Sequence, residues 1–484
     1  GHREGDTSAG TIVTSHPDDV LESLVIARRA RRGAVEPAVI HHGSLDTVAN
    51  QIAGLVMERG DIRAMRAYEL LTRAYPFQDL DTATFKQIVQ ELAENRIVWL
   101  DEEADRLEKR RGTWEYFYRN LSMIPDETTY DVEDVASGDR VGTLDERFVV
   151  NFASPGEVFV QRGEMWRITE IDEDEETVTV SPIEDPAGEV PSWTGQEIPV
   201  AREVAAGVGQ LREVAGAQLE TGATPDAVAR DCCGRYGVDP ETVLSGLEQL
   251  DEQVAGDHRV PTDETITVES GGGSVVVNAC LGHKTNETLG RLLSALLGQR
   301  VGATVGLDVD PYRIELDVPR GLRASDAVTV LEETDPAHVW GLVERSLRNA
   351  DALKFKLAQV ATTFGALKPW RGSNRFGRNR LLDALEGTPI YDEALRELRH
   401  EELAVESAGD VLAAIQSGEL AVEVVPEHTP IGTGGRSAGQ EPPPPRNPPA
   451  RSLPHPKEHT PNRRAFPFFP AAPDSVGGRP GKPR

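Results

Sequence analysis

The chain has 484 residues, long enough for two to four domains and for a core that needs no covalent staple. Asp and Glu number 80 against 51 Lys and Arg, of which only 8 are Lys, so the net charge is −29 and the solvated surface repels phosphate on average. Three cysteines (Cys232, Cys233 and Cys280) without a CxxC spacing exclude a disulfide framework and a zinc site, and no apolar run reaches the roughly 18 residues of a membrane-spanning helix.

In chain order, Gly10 to Thr14 reads as a short buried strand, followed by a helix from Asp18 with Val20, Leu21, Leu24 and Val25 on one face. Ser44 is a good helix cap, and a helix carrying Val48, Ile52, Leu55 and Val56 follows it. A second helix is predicted around Met65 to Leu71 and a third from Thr82 to Glu94, ending in the strand-like Arg96 to Leu100. Three short helices followed by a strand make a winged-helix pattern.

From about Thr143 the period changes to two. Arg147 to Phe152, Gly156 to Val160, Met165 to Ile171 and Thr177 to Ser181 are strand-sized runs, which predicts a small β-barrel or sandwich with Trp166 as a strand residue. Residues 202–256 return to helical spacing, Thr265 to Val277 is a hairpin around Gly271, Gly272 and Gly273, and a mixed α/β region runs to about Val425. The fold class is multidomain α+β.

Residues 442–484 hold 14 of the 33 prolines and 8 basic against 2 acidic residues, a composition that cannot bury a core and predicts disorder. The segment reads either as a basic, proline-rich tail or as a reading-frame change.

Several signals resemble chemistry they lack the partners to perform. Ile97-Val98-Trp99-Leu100-Asp101-Glu102 imitates the Asp-Glu box of nucleotide hydrolases, yet no GxxxxGK[ST] loop accompanies it, since Gly282-His283-Lys284-Thr285 lacks the glycine before Lys. Residues 101–105 therefore read as the charged start of a helix. His41, His42 and His283 have no second ligand at helical spacing, so no metal site is expected. No GxSxG or HExxH occurs, and no nucleophile, base and orienting group fall together.

The outstanding local anomaly lies between Lys354 and Arg380. Lys354, Lys356, Lys368, Arg371, Arg375, Arg378 and Arg380 occur there without an acidic residue, interleaved with Phe355, Phe364, Trp370 and Phe376. Cations among rings suit a single-stranded nucleic acid, with phosphates on Arg and Lys and bases stacked on aromatics; the competing reading is a basic surface paired with the protein's own carboxylates. Phe355, Phe364 and Leu367 are also core candidates. Trp193, in Pro191-Ser192-Trp193-Thr194-Gly195, is either an exposed stacking platform or a residue packed on the β region.

Gly1-His2-Arg3 resembles the end of the arginine-bearing motif of superfamily 2 helicases. Leu45-Asp46-Thr47-Val48-Ala49-Asn50-Gln51-Ile52, Ala74-Tyr75-Pro76-Phe77, the Trp193 stretch, Cys280-Leu281-Gly282, Asp310-Pro311-Tyr312 and Thr388-Pro389-Ile390 resemble, in this order, segments of Lhr-type (large helicase-related) ATP-dependent DNA helicases. The resemblance covers about residues 1–441. It implies that residues 1–43 end the second RecA-like domain, that 44–145 form the winged helix, that 146–425 form a family-specific DEAD/H-associated domain with the β-barrel at about 146–200, and that 426–484 are the tail.

The same resemblance makes Arg3 the arginine finger that approaches the ATP γ-phosphate, and Trp193 a contact to a base. It implies ATP and magnesium as cofactors of the full-length family, with none bound by this chain alone because the phosphate loop and Asp-Glu box are missing. The expected partner is single-stranded DNA, or a DNA or RNA–DNA duplex with a single-stranded tail, guided while RecA-like motor domains step along it in nucleic-acid metabolism or repair. A truncated helicase without ATPase activity is the leading expectation; a stand-alone single-strand-binding or protein-docking module, or a non-functional gene fragment, are the alternatives. The acidic, Lys-poor composition suits a salt-loving organism, and the absence of a signal peptide or membrane segment suits the cytoplasm, without a membrane partner.

Overall fold

The computed structural model describes residues 10–433 except 15, 124–128, 147, 150–152, 154, 162–163, 173–174, 184–197, 349 and 368–374. Residues 10–14 form no strand: Ile12 is 60% and Val13 91% exposed, because no described strand lies alongside to satisfy their backbone. Helix α1 (Pro17–Arg31) follows as expected, opened by Pro17 at its first position and by His16, whose ring accepts the Asp18 N–H.

The winged helix comprises α2 (Leu45–Arg59), β1 (Asp61–Arg63), α3 (Ala64–Leu71), α4 (Thr82–Glu94), β2 (Val98–Asp101) and β3 (Arg106–Lys109), with sheet order β1-β3-β2. Asp81 starts α4 by accepting the Ala83 and Thr84 N–H groups at 2.8 and 2.9 Å. Residues 101–105 are the turn of the wing rather than a helix start. The Asp101 carboxylate accepts the Ala104 N–H at 3.0 Å and Asp105 takes φ +52°, an aspartate-driven turn that returns the chain into β3. Helix α5 (Arg111–Arg119) follows at once.

A five-stranded sheet comes next, built from β4 (Thr129–Asp134), β5 (Arg140–Asp145), β6 (Val158–Gln161), β7 (Glu164–Asp172) and β8 (Thr177–Pro182) in the order β5-β4-β8-β7-β6. It therefore begins at Thr129, ahead of the boundary expected at 146, because β4 pairs in parallel with β8. Phe148 and Val149, expected in a strand, are helical. The sheet curls until its edges meet: the Gln161 amide on β6 donates to the Thr143 carbonyl on β5 at 3.1 Å. Tyr130, Val132, Phe159, Trp166, Ile168 and Val178 fill its interior.

Helices α6 (Arg202–Glu220), α7 (Pro225–Tyr236) and α8 (Pro240–Ala255) pack with α1, whose Val20, Leu21, Leu24 and Val25 enter their common core. The first helix thus buries its apolar face in a helical bundle. Gly209 on α6 lies against the Thr262–Asp263 backbone so closely that a Cβ would collide with it.

The last region joins β9 (Thr265–Gly271), β10 (Ser274–Asn278), α9 (His283–Val301), β11 (Gly306–Val309), β12 (Arg313–Asp317), α10 (Ala324–Glu333), α11 (Val339–Leu347), α12 (Asp351–Thr363), α13 (Arg375–Leu385), α14 (Pro389–Glu402), α15 (Val405–Ser417) and β13 (Ala421–Val425). Its sheet order is β11-β12-β10-β9-β13, with β13 parallel to β9. Ile266, Val268, Val275, Val277, Ile314 and Leu316 belong to the hydrophobic core. The alternate residues on β9, Thr267 and Glu269, point to the opposite face and are buried there as well.

That core is continuous with the core of the winged helix. Gly365, at φ +75°, leaves room for Ile97 and Tyr116, which would lie 2.8 and 3.0 Å from any Cβ there. Asn120 reinforces the join: its amide donates to the Thr363 carbonyl at 3.1 Å, and its carbonyl accepts from Asn50 at 3.0 Å.

Candidate nucleic-acid interface

The wing and α5 carry an exposed aromatic surface. The α5 backbone is started by Thr113, whose hydroxyl accepts the Arg110 N–H at 2.9 Å and donates to the Ile97 carbonyl at 2.5 Å. Tyr116 is buried, and Phe117 lies against Gly54 of α2. Helical spacing then sends Trp114 and Tyr118, four residues apart, to the outer face. Their rings stack with centroids 4.5 Å apart and remain 53% and 48% exposed. Trp99 on β2 is 52% exposed, with the Arg110 guanidinium 4.7 Å from its ring centroid.

The cations around these rings are of two kinds, paired and unpaired. Arg106 is paired with Asp61 and Glu108, and Arg119 with Glu115. Among the described residues, Lys109, Arg110 and Arg111 form no ion pair with a carboxylate. Exposed rings beside unpaired cations on an otherwise acidic protein are a surface that can stack bases and accept phosphates.

A second basic feature is a cavity of about 590 Å³ between α1, α6 and α7, lined by Arg28, Arg29, Arg32 and Arg235 with Glu203 as the one acidic residue. Arg31 fixes its rim by donating to the Tyr236 carbonyl at 2.6 Å, and Arg28 lies over the Tyr236 ring at 5.2 Å. The Nε atoms of Arg28 and Arg29 are buried without a hydrogen-bond partner. The signal for this cavity was present in the run Arg28-Arg29-Ala30-Arg31-Arg32, as was Trp99-x14-Trp114-x3-Tyr118 for the aromatic surface. Neither spacing says which side of its helix is covered.

The basic run at 354–380 is divided by the structure. Lys356 differs from the expectation of a nucleic-acid contact: its ammonium lies 3.1 Å from Glu397 and 2.9 Å from Glu401, and its side chain is only 11% exposed. Burial alone would lower its pKa, but the two carboxylates outweigh that and raise it. Lys354 is half-buried on the same helix, while Phe355 and Phe364 are buried in the core. Arg375 and Arg378 fall on α13 and Arg380 is exposed there. Lys368, Trp370 and Arg371 lie outside the described residues, as do Trp193 and Arg3.

The residues that imitate phosphate chemistry do not fit ATP or its magnesium. Gly282, at φ +81°, precedes α9, but Lys284 turns inward to donate to the His400 carbonyl at 2.8 Å. Its ammonium is spent on the protein, and among the described residues no glycine loop replaces it. His42 meets Tyr75 edge-on at 4.8 Å, whereas His41 stacks on His400 at 4.7 Å beside the Glu393 carboxylate, a neighbour 352 positions away that no local spacing reveals. Among the described helices, none is long and apolar enough to cross a membrane.

Residues 28–188 match the family model of the large helicase-related protein winged helix domain, and residues 260–432 match that of the DEAD/H-associated domain. The ATP-dependent helicase Lhr-Core of Methanocaldococcus jannaschii is 26% identical over 456 residues, covering 89% of this chain and 51% of the relative. That of Saccharolobus solfataricus is 24% identical over 455 residues, covering 88% and 51%. The chain thus spans about half the length of these relatives. The solved structure of Mycobacterium smegmatis helicase Lhr bound to ssDNA and AMP-PNP superposes with a TM-score of 0.63 at 17% identity, covering 86% of this chain and 51% of that one.

Proposed function

Because this chain belongs to the Lhr helicase family and corresponds to its carboxy-terminal portion, we propose that it supplies the strand-gripping part of an ATP-dependent DNA helicase. The observation that carries this reading is the exposed Trp99, Trp114 and Tyr118 surface with Arg110 over one of its rings. Rings offer every base a face to stack on, so the grip tolerates any sequence, and the flanking cations take up phosphate while the outer surface stays acidic. The solved relative holds single-stranded DNA, which supports the same ligand here. Its nucleotide analogue supports ATP binding by RecA-like motor domains of the whole family protein. Trp193, Lys354, Lys368, Trp370, Arg371, Arg375, Arg378 and Arg380 remain proposed strand contacts, and Arg3 the proposed arginine finger of the motor.

The test is fluorescence anisotropy with a labelled single strand at several salt concentrations, following circular dichroism in parallel. Stacking contributes about 1–3 kcal/mol per base, so Trp114→Ala with Tyr118→Ala should weaken binding at least about fivefold. Trp193→Ala should act independently and by a similar factor. Binding that all three replacements leave unchanged in a folded chain would refute the reading.

A further inference from the structure

Helix α14 delivers two carboxylates, Glu393 and Glu397, one turn apart to the start of α2, where Asp46 stands. Oxygen atoms of all three lie within 4.8 Å of one another. Glu393 has a side chain with 0% exposure. One of its oxygens, Oε2, accepts the Leu45 N–H at 2.9 Å and lies 3.5 Å from Arg396 Nε. The other, Oε1, is buried with no hydrogen-bond partner, and so is the His41 Nε2 that faces it at 3.8 Å.

A buried carboxylate oxygen without a donor costs on the order of 1–3 kcal/mol or more, and three acidic groups this close together add repulsion. The basic groups around the cluster touch only single members of it: Lys356 sits on Glu397 and Glu401, and Arg396 on Glu393. What the geometry lacks is one positive charge placed among the three oxygens.

We propose that Asp46, Glu393 and Glu397 hold a hard divalent cation, Mg²⁺ or Mn²⁺, with His41 beside it as a nitrogen ligand. The opposite ligands of an octahedral Mg²⁺ lie about 4.2 Å apart, within the span of these oxygens. Two carboxylates come from the family-specific region and one from the winged helix, so the ion ties the two together across a joint that no disulfide bridges. Glu397 and His41 keep 16% and 27% of their side chains exposed, which gives the ion an entry path. This inference is independent of the nucleic-acid reading.

The experiment is a titration of the chelator-treated 484-residue chain with MnCl₂, reading free Mn²⁺ by its electron paramagnetic resonance signal in about 0.5 M KCl, where surface carboxylates are screened within a few ångströms. One saturable site per chain is expected, displaced by excess Mg²⁺, and weakened at least tenfold by Glu393→Gln and by Glu397→Gln. Circular dichroism checks both variants; if Glu393→Gln does not fold, Glu397→Gln at the rim decides. The absence of a saturable site in the unaltered chain overturns the proposal. So does unchanged affinity in either folded variant, which would mean that the carboxylates share protons instead.

Discussion

Asp18 and Arg212, 194 positions apart, meet at 2.5 Å inside the protein, with side chains only 7% and 2% exposed. The second oxygen of Asp18 accepts from Arg313 at 2.8 Å, and Arg313 reaches on to Asp310 at 2.7 Å and to the Ile431 carbonyl at 2.9 Å. One carboxylate on α1 thereby binds the helical bundle to the start of β12, an inner strand of the β9–β13 sheet.

Burial works against the Asp18 charge, but Arg212 and Arg313 outweigh it and hold the carboxyl well below its usual range. Asp18→Asn should therefore destabilise the chain by about 3–5 kcal/mol, because Arg212 is left buried without its counter-ion. A depressed carboxylate stabilises the fold fully above its unfolded pKa near 3.8, and that contribution is lost only as pH falls through the folded value. Chemical denaturation of the variant and the unaltered chain at neutral pH measures the difference, which should shrink in strong acid.

The cluster on α14 has the opposite sign. Burial raises Glu397 to about 7 and Glu393 in the same direction, with Asp46 and Glu401 adding repulsion while Lys356 and Arg396 oppose it and His41 and His400 stand alongside. A raised carboxylate stabilises fully below its unfolded pKa near 4.5 and loses that contribution as pH rises through the folded value. In chelator, stability should fall by roughly 1–3 kcal/mol between about pH 5 and about pH 8. Glu397→Gln should flatten that slope in urea titrations across the range.

Lys356→Met separates structural from binding cations. Removing the ammonium leaves Glu397 and Glu401 without their counter-charge, at a cost of about 3 kcal/mol in unfolding free energy. Affinity for a single strand, measured by anisotropy on the folded variant, should not change. Arg110→Ala with Arg111→Ala should do the reverse, weakening binding and lowering its dependence on salt by about one to two released counterions.

Gly209→Ala tests the contact between α6 and the segment leading into β9. An alanine usually favours a helix, yet here the added Cβ meets the Asp263 backbone, which cannot rotate aside as a side chain could. A loss of about 1–3 kcal/mol is expected in thermal or urea unfolding.

Much of the architecture was written in local pattern. The apolar spacing of Val20, Leu21, Leu24 and Val25, or of Val48, Ile52 and Val56, names both the helix and its buried face, and the period of two in Met165 to Ile171 names a strand, because each pattern reports on neighbours only a turn or a residue away. The tertiary structure decided what those faces met. Ile12 and Val13 have strand composition but no neighbouring strand among the described residues. The acidic Asp101 to Asp105 became a hairpin turn because β3 returned to pair with β1 and β2. Lys356 belongs to a basic run in sequence, yet α14 places two carboxylates on it from forty-one and forty-five residues away. The aromatic surface, the arginine cavity and the Asp46, Glu393 and Glu397 cluster escaped the sequence for the same physical reason: exposure, ion pairing and ligand geometry depend on which distant segments pack together, and residue spacing along one segment carries no record of that.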